Sequence, residues 1–116
     1  MSKAAELAEF GSGISSGPNA VEGLAKAWFL ASNSAVLTDS FNTSSGLDNG
    51  GGDYTFTFTS AMGSANFEST ATPANWALRY GMIAARTTTT ETLKFYDESD
   101  ALADCTSGSA IHGDLA

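Results

Sequence analysis

The amino-acid sequence predicts an all-β protein, a small antiparallel β-sandwich or barrel preceded by a short N-terminal helix or arm. Short apolar runs are separated by turn residues at intervals of roughly 8–12 residues, which is the spacing of such folds. Residues 54–59 alternate strictly between aromatic and threonine side chains. Residues after position 24 show no long helical period. With 116 residues, the chain has the size of one domain.

The first 23 residues are expected to form an attachment arm and a linker. Residues 2–10 are the best helix candidate because apolar side chains, among them Leu7 and Phe10, recur on one face. A helix this short is marginal alone and needs a surface to pack on. Residues 11–19 are rich in Gly and Ser, as linkers are. We expect Leu7 and Phe10 to dock the arm; an unstructured start is the alternative.

The β domain is predicted to span residues 24–116. In residues 54–59 the aromatic side chains share one strand face and the threonines share the other. Residues 76–86 also alternate, and residues 41–48 are polar with a glycine and give no strand signal. The predicted strands cover residues 24–30, 36–41, 54–59, 66–71, 76–86, 93–96 and 110–115.

A glycine loop, DNGGGD at residues 48–53, allows two interpretations, a calcium loop or a hairpin turn. An EF-hand loop requires ligands at positions one, three, five and twelve. Counted from Asp48, glycines stand at positions three and five and Thr59 stands at position twelve. Asp-Asn-Gly supplies the positive φ angles of a β-hairpin turn. The hairpin turn is therefore the favoured interpretation.

The composition excludes several classes of partner. The net charge of −8 disfavours nucleic acid and anionic membrane surfaces. No apolar run approaches the roughly 18 residues of a membrane-spanning helix, and the start of the chain does not resemble a signal peptide. Charged residues make up only 16%, so Ser, Thr, Asn and Gly must build much of the surface. Such a surface is typical of a β-rich structural protein.

The sequence contains no recognisable catalytic constellation. Its single cysteine, Cys105, and single histidine, His112, match no thiol-enzyme signature, and a buried cysteine is expected. Nucleotide-binding, hydrolase and metalloprotease motifs are absent from the sequence. No acid pair for glycoside hydrolysis can be named; the acids considered are Asp39, Asp48, Asp53 and Glu68. We therefore expect a non-enzymatic protein without a cofactor or a metal.

The large aromatic residues have two interpretations. Because they lie on alternating strands, packing in the core is favoured. The alternative is a platform on which sugar rings stack, with Trp28, Trp76 and Tyr80 as the candidate residues.

Several sequence blocks occur in an order that is similar to a known family. They are Lys26-Ala27-Trp28-Phe29, Asp39-Ser40-Phe41-Asn42-Thr43-Ser44, Asp48-Asn49-Gly50-Gly51-Gly52-Asp53-Tyr54-Thr55-Phe56, Phe58-Thr59-Ser60-Ala61-Met62 and Ala65-Asn66-Phe67. Together, over about residues 26–67, they resemble a β-rich module of bacteriophage tail-fibre and related virion surface proteins. The start of the chain, MSKAAELA, is also similar to that of some phage fibre proteins.

The resemblance implies a non-enzymatic virion structural protein. Because the chain has no long shaft, it implies a short fibre or spike, a head fibre, a turret or a capsid decoration protein. The arm would bind other virion proteins of the capsid or tail, and the subunits would form a homo-oligomer, a trimer or a pentamer. The protein would be made in the host cytoplasm and exposed on the assembled virion, where it could contact a host surface glycan. The alternative is a carbohydrate-binding module that acts as a receptor-binding tip.

Overall fold

Two antiparallel β-sheets face each other in the computed structural model, which describes residues 24–74 and 77–116. The strands are β1 (Ala27–Ala31), β2 (Leu37–Phe41), β3 (Thr43–Gly50), β4 (Asp53–Phe58), β5 (Glu68–Ser69), β6 (Thr72–Pro73), β7 (Tyr80–Arg86), β8 (Thr90–Tyr96) and β9 (Ser107–His112). Sheet A has the order β2-β1-β9-β5, with β6 also paired to β9, and sheet B has the order β3-β4-β8-β7. The predicted all-β sandwich is confirmed. The predicted helix at residues 2–10 and its docking residues, Leu7 and Phe10, lie outside the described residues.

The core between the sheets is largely aromatic. The alternation predicted for residues 54–59 is confirmed, because Tyr54, Phe56 and Phe58 are buried on the inner face of β4. The ring of Phe29, from β1 in the opposite sheet, stacks on Phe56 with centroids 3.9 Å apart. Cys105 is buried too, as expected from the sequence. In the described part of the chain there is no helix long and apolar enough to cross a membrane.

The corner between β2 and β3 is fixed by Asn42. Its backbone adopts a φ of 53°, in the left-handed region that Asn tolerates better than most residues. Its side-chain amide donates to the carbonyl oxygens of Lys26 and Ser60, both at 3.1 Å, and its Oδ1 accepts the Ser60 N–H at 2.7 Å. One side chain thus ties the corner to the start of β1 and to the loop after β4.

Several strand predictions need correction. β3 occupies residues that gave no strand signal, because it is a largely exposed edge strand whose residues need not alternate. β9 begins at Ser107, three residues before the predicted start at residue 110, because its first residues are small and polar although they are buried. The strand predicted for residues 66–71 is replaced by two short strands, β5 and β6.

Candidate functional site

An open apolar groove of about 360 Å³ lies on the outer face of sheet A. Ala27, Phe29 and Ala31 of β1 point into the core, so the alternating residues Trp28 and Leu30 point outward. Their partners on β9 are the small residues Ala110 and Gly108, which leave space between the larger side chains. The groove lining is uncharged and consists of Trp28, Phe29, Leu30, Thr70, Thr72, Gly108, Ser109 and Ala110. We call this feature the Trp28 groove.

The wall of the Trp28 groove opposite β1 lies where the backbone pairing of β9 with β5 and β6 is interrupted. β5 pairs with β9 at its C-terminal end and β6 pairs with it nearer its start. Between them, the N–H of Ala110 donates to the hydroxyl of Thr70 at 3.0 Å. A side chain therefore replaces a backbone ladder partner at this point, which holds Thr70 beside the groove.

The apolar surface extends from the groove onto β2. Phe41 is the cross-strand partner of Trp28, and Leu30 is the partner of Asp39. Because directly paired residues project to the same side of a sheet, Phe41 stands beside Trp28. The exposed fractions are 36% for Trp28, 48% for Leu30 and 50% for Phe41. We call these three residues the Trp28 face.

The outer face of sheet B carries a second aromatic group. Tyr80 on β7 stacks on Tyr96 on β8, with ring centroids 5.3 Å apart and 18° between the planes. The Tyr80 hydroxyl donates to the carboxylate of Asp100 at 2.6 Å, and this bond raises the pKa of Tyr80 to about 12. Met82, on the same strand, is also exposed.

The predicted sugar-stacking residues therefore do not form one platform. Trp28 lies on the outer face of sheet A and Tyr80 lies on the outer face of sheet B, on opposite sides of the sandwich. Trp76 lies outside the described residues. The favoured interpretation of core packing is correct for Tyr54, which is buried, but wrong for Trp28 and Tyr80, which are exposed.

The glycine loop forms the turn between β3 and β4, as its sequence predicts. Gly50 and Gly52 have φ values of 137° and 68°. The Asp48 carboxylate accepts the Gly50 N–H at 3.0 Å, and the Asn49 amide donates to Thr55 at 2.8 Å. These polar side chains thus bond within the hairpin.

The acidic, cysteine and histidine side chains of the described residues do not form a metal-binding cluster. Within residues 24–74 and 77–116, no three His, Cys, Asp or Glu side chains come together as a metal site would require. The Cys105 thiol lies buried and donates to the Thr106 carbonyl at 3.1 Å. Asp53 lies 3.9 Å from the ammonium of Lys94. The geometry does provide an exposed apolar surface, the Trp28 face and its groove.

Sequence reasoning identified Trp28 but missed its neighbours. Leu30, Phe41 and Gly108 belong to the same surface and were not singled out. The signal was present in the stretch Ala27–Ala31, in which every residue is apolar, so that both faces of the strand carry apolar side chains. The pairing of Trp28 with Phe41 carried no signal, because it depends on the register between two strands.

Comparison of the chain with protein-family models, with curated proteins and with solved structures gives no match.

Proposed function

We propose that the chain is a non-enzymatic structural protein on the surface of a bacteriophage particle, where it acts as a short fibre or spike, a turret or a capsid decoration. The observation that carries the proposal is the Trp28 face, on which three large apolar side chains stand side by side in water. Contiguous exposed apolar patches mark surfaces that contact other molecules. In an assembled particle, a neighbouring copy or another virion protein would cover this face.

The blocks that resemble the phage module have structural roles in this fold. Asn42 of the second block bonds to Lys26 of the first and to Ser60 of the fourth. The hydroxyl of Tyr54 in the third block donates a hydrogen bond to the carbonyl of Asn33 at 2.8 Å. The resembling residues thus hold the sandwich together, which supports a structural function for this module and no catalytic one.

The arm at residues 1–23 completes the proposal. It would anchor the β domain to other virion proteins through Leu7 and Phe10, and several arms in one oligomer would raise avidity by a factor of the order of 10²–10⁴. Deletion of residues 2–17 should abolish incorporation into particles and leave the β domain folded, as judged by circular dichroism. Incorporation of the truncated chain at the normal level would reject the anchoring function.

The central test is immunogold electron microscopy of intact particles of the phage whose genome encodes the chain. Label over the head would support a decoration, turret or head-fibre position, and label at the tail tip would support a receptor-binding spike. Absence of label from particles in which mass spectrometry also fails to find the chain would reject a virion function.

A carbohydrate-binding module acting as a receptor-binding tip is the second candidate function. The observation in its favour is the Trp28 groove, in which an indole ring lies beside the side chains of Thr70 and Thr72. Aromatic faces and hydroxyl groups are suited to neutral sugars, and the uncharged lining gives no means of holding an anionic one.

Replacement of Trp28 by Ala tests this candidate, with Tyr80→Ala as the matched control on the opposite face. On a glycan array, W28A should lose the binding that the wild type shows, and Y80A should keep it. If both variants bind as the wild type does, or if the wild type binds no glycan, the carbohydrate function is wrong.

A further inference from the structure

Among the described residues, a single carboxylate is enclosed in the core between the two sheets. Glu91 stands on the inner face of β8, where its neighbours across the strands are Phe56 of β4 and Arg86 of β7. Its exposed fraction is 0%, and neither carboxylate oxygen has a hydrogen-bond partner. An ionised carboxylate in such surroundings is costly unless a partner neutralises it.

Serine hydroxyls face Glu91 from sheet A. Ser69 on β5 and Ser109 on β9 lie close enough to favour its ionised form, although their hydroxyls stop short of hydrogen-bond geometry. Ser107, two residues along β9, is a further buried hydroxyl without a partner. These polar atoms belong to both sheets, so the cluster spans the interface that holds the sandwich together.

Little positive charge acts on the Glu91 carboxyl. β4 presents aromatic side chains, and β5 and β9 present hydroxyls. Arg86 of β7 is the charged side chain within the described residues that acts on the carboxyl. Its guanidinium donates to the Phe67 carbonyl at 2.8 Å and lies 5.8 Å from the centre of the Phe67 ring, so it is held by other partners. Burial raises the pKa of Glu91 above its ordinary value of 4.5, against the opposing effects of Ser109, Ser69 and Arg86.

We propose that Glu91 is held between the sheets as a neutral carboxylic acid and that its ionisation is the event by which rising pH loosens the sandwich. The neutral acid offers one O–H donor to the serine oxygens and avoids burying a charge. The ionised form needs water, which can reach the cluster only when the two sheets separate. The cluster is therefore a proton-dependent contact built into the fold, and it is independent of the proposed virion function.

The direction of the pH effect follows from the raised pKa. The stability that the neutral acid contributes is fully present below 4.5, where the carboxyl is protonated in the folded and unfolded chain alike. It is lost as the pH rises toward and through the pKa of the folded state. Over that interval the unfolding equilibrium constant should increase by up to about tenfold for each pH unit.

The test is urea unfolding of the full chain from pH 4.5 to 9 in three forms, the wild type, Glu91→Gln and Glu68→Gln. The side-chain amide in E91Q has the shape of the carboxylic acid and cannot ionise. The unfolding equilibrium constant of this variant should therefore lose the pH dependence that Glu91 causes. E68Q removes an exposed acid from neighbouring β5 and should keep the wild-type pH dependence. Equal pH dependence in the wild type and E91Q would overturn the proposal.

A direct measurement on the wild-type chain tests the proposal even if E91Q has a folding defect. The side-chain carboxyl carbon of Glu91 in the wild-type chain can be followed by NMR as the pH changes. We expect the carbon to titrate above the ordinary range. A titration midpoint at or below 4.5 would overturn the proposal. A stability at pH 8 that rises with sodium chloride but not with choline chloride would also overturn it, because a metal cation would then neutralise Glu91.

Discussion

Tyr54 joins distant parts of the chain through one hydroxyl group. That hydroxyl donates to the Asn33 carbonyl at 2.8 Å and accepts the Cys105 N–H at 3.0 Å. The ring itself is buried against Phe95, with centroids 6.1 Å apart. Burial raises the pKa of Tyr54 to about 12, so the hydroxyl keeps its proton throughout the neutral range.

Replacement of Tyr54 by Phe should therefore be costly although the ring remains. The Asn33 carbonyl and the Cys105 amide would each lose a partner, and we expect a loss of about 1–3 kcal/mol in the free energy of unfolding. Urea unfolding measures this loss. Tyr96→Phe makes the same chemical change on the outer face of sheet B and should change stability by less than about 0.5 kcal/mol. Equal losses in the two variants would contradict the argument.

Gly52 is required by both backbone angle and space. Its φ is 68°, and a Cβ atom there would lie 2.5 Å from the Ala103 carbonyl oxygen and 2.6 Å from that of Phe95. We expect Gly52→Ala to cost about 2–4 kcal/mol, because backbone strain and overpacking add. Gly51→Ala is the matched control, since its Cβ would meet nothing closer than 3.9 Å. Thermal unfolding of both variants measures the two losses of stability. A G52A variant as stable as G51A would contradict the prediction and show that the hairpin can shift.

At the scale of secondary-structure elements, alternation could be predicted and register could not. The strand β4 could be predicted from the sequence because it is central in sheet B, with aromatic residues on one face and threonines on the other. β9 is central in sheet A, yet its first residues are Ser and Gly, which carry no hydrophobic signal. Its burial follows from close packing between β1 and the short strands β5 and β6. The Trp28 face escaped prediction for the same reason, because it joins residues of β1 and β2.

Asn42 gives an element-scale prediction, because it connects β1, the β2–β3 corner and the loop after β4. Asn42→Gly keeps the left-handed backbone and loses the side-chain bonds, so we expect a loss of about 1–3 kcal/mol. Asn42→Ala should be less stable than N42G by about 1 kcal/mol, since alanine also strains the φ of 53°. This order reverses the usual advantage of alanine over glycine.

Chemical denaturation of both Asn42 variants measures that order. Asn49→Ala serves as a control, because Asn49 bonds within the exposed hairpin and joins no third element. N42A at least as stable as N42G would mean that the corner relaxes to another backbone conformation.

At the scale of the whole molecule, charge and apolar surface are distributed unevenly. The chain carries a net charge of −8, and the strands of sheet A contain two acids, Asp39 on β2 and Glu68 on β5. Four acids instead lie close together in sequence after β8, at Asp97, Glu98, Asp100 and Asp104. Asp100 of this segment bonds to Tyr80 on the outer face of sheet B, so a contact through sheet A, where the Trp28 face is exposed, keeps that carboxylate outside the interface. We therefore propose sheet A as the contact surface of a trimer or pentamer.

Two carboxylates placed on the Trp28 face should therefore prevent assembly. In the double variant Leu30→Glu with Phe41→Glu, each contact would bury new charges of the same sign, so we expect monomers under conditions in which the proposed oligomer of the wild type forms. Both side chains are about half exposed, so the fold should persist, and circular dichroism checks it. Leu47→Glu adds a charge to an exposed residue of sheet B and should leave assembly unchanged. Sedimentation velocity separates these outcomes. An oligomer of wild-type size in the double variant would exclude the Trp28 face from the interface. Loss of the oligomer in L47E alone would indicate that the interface lies on sheet B.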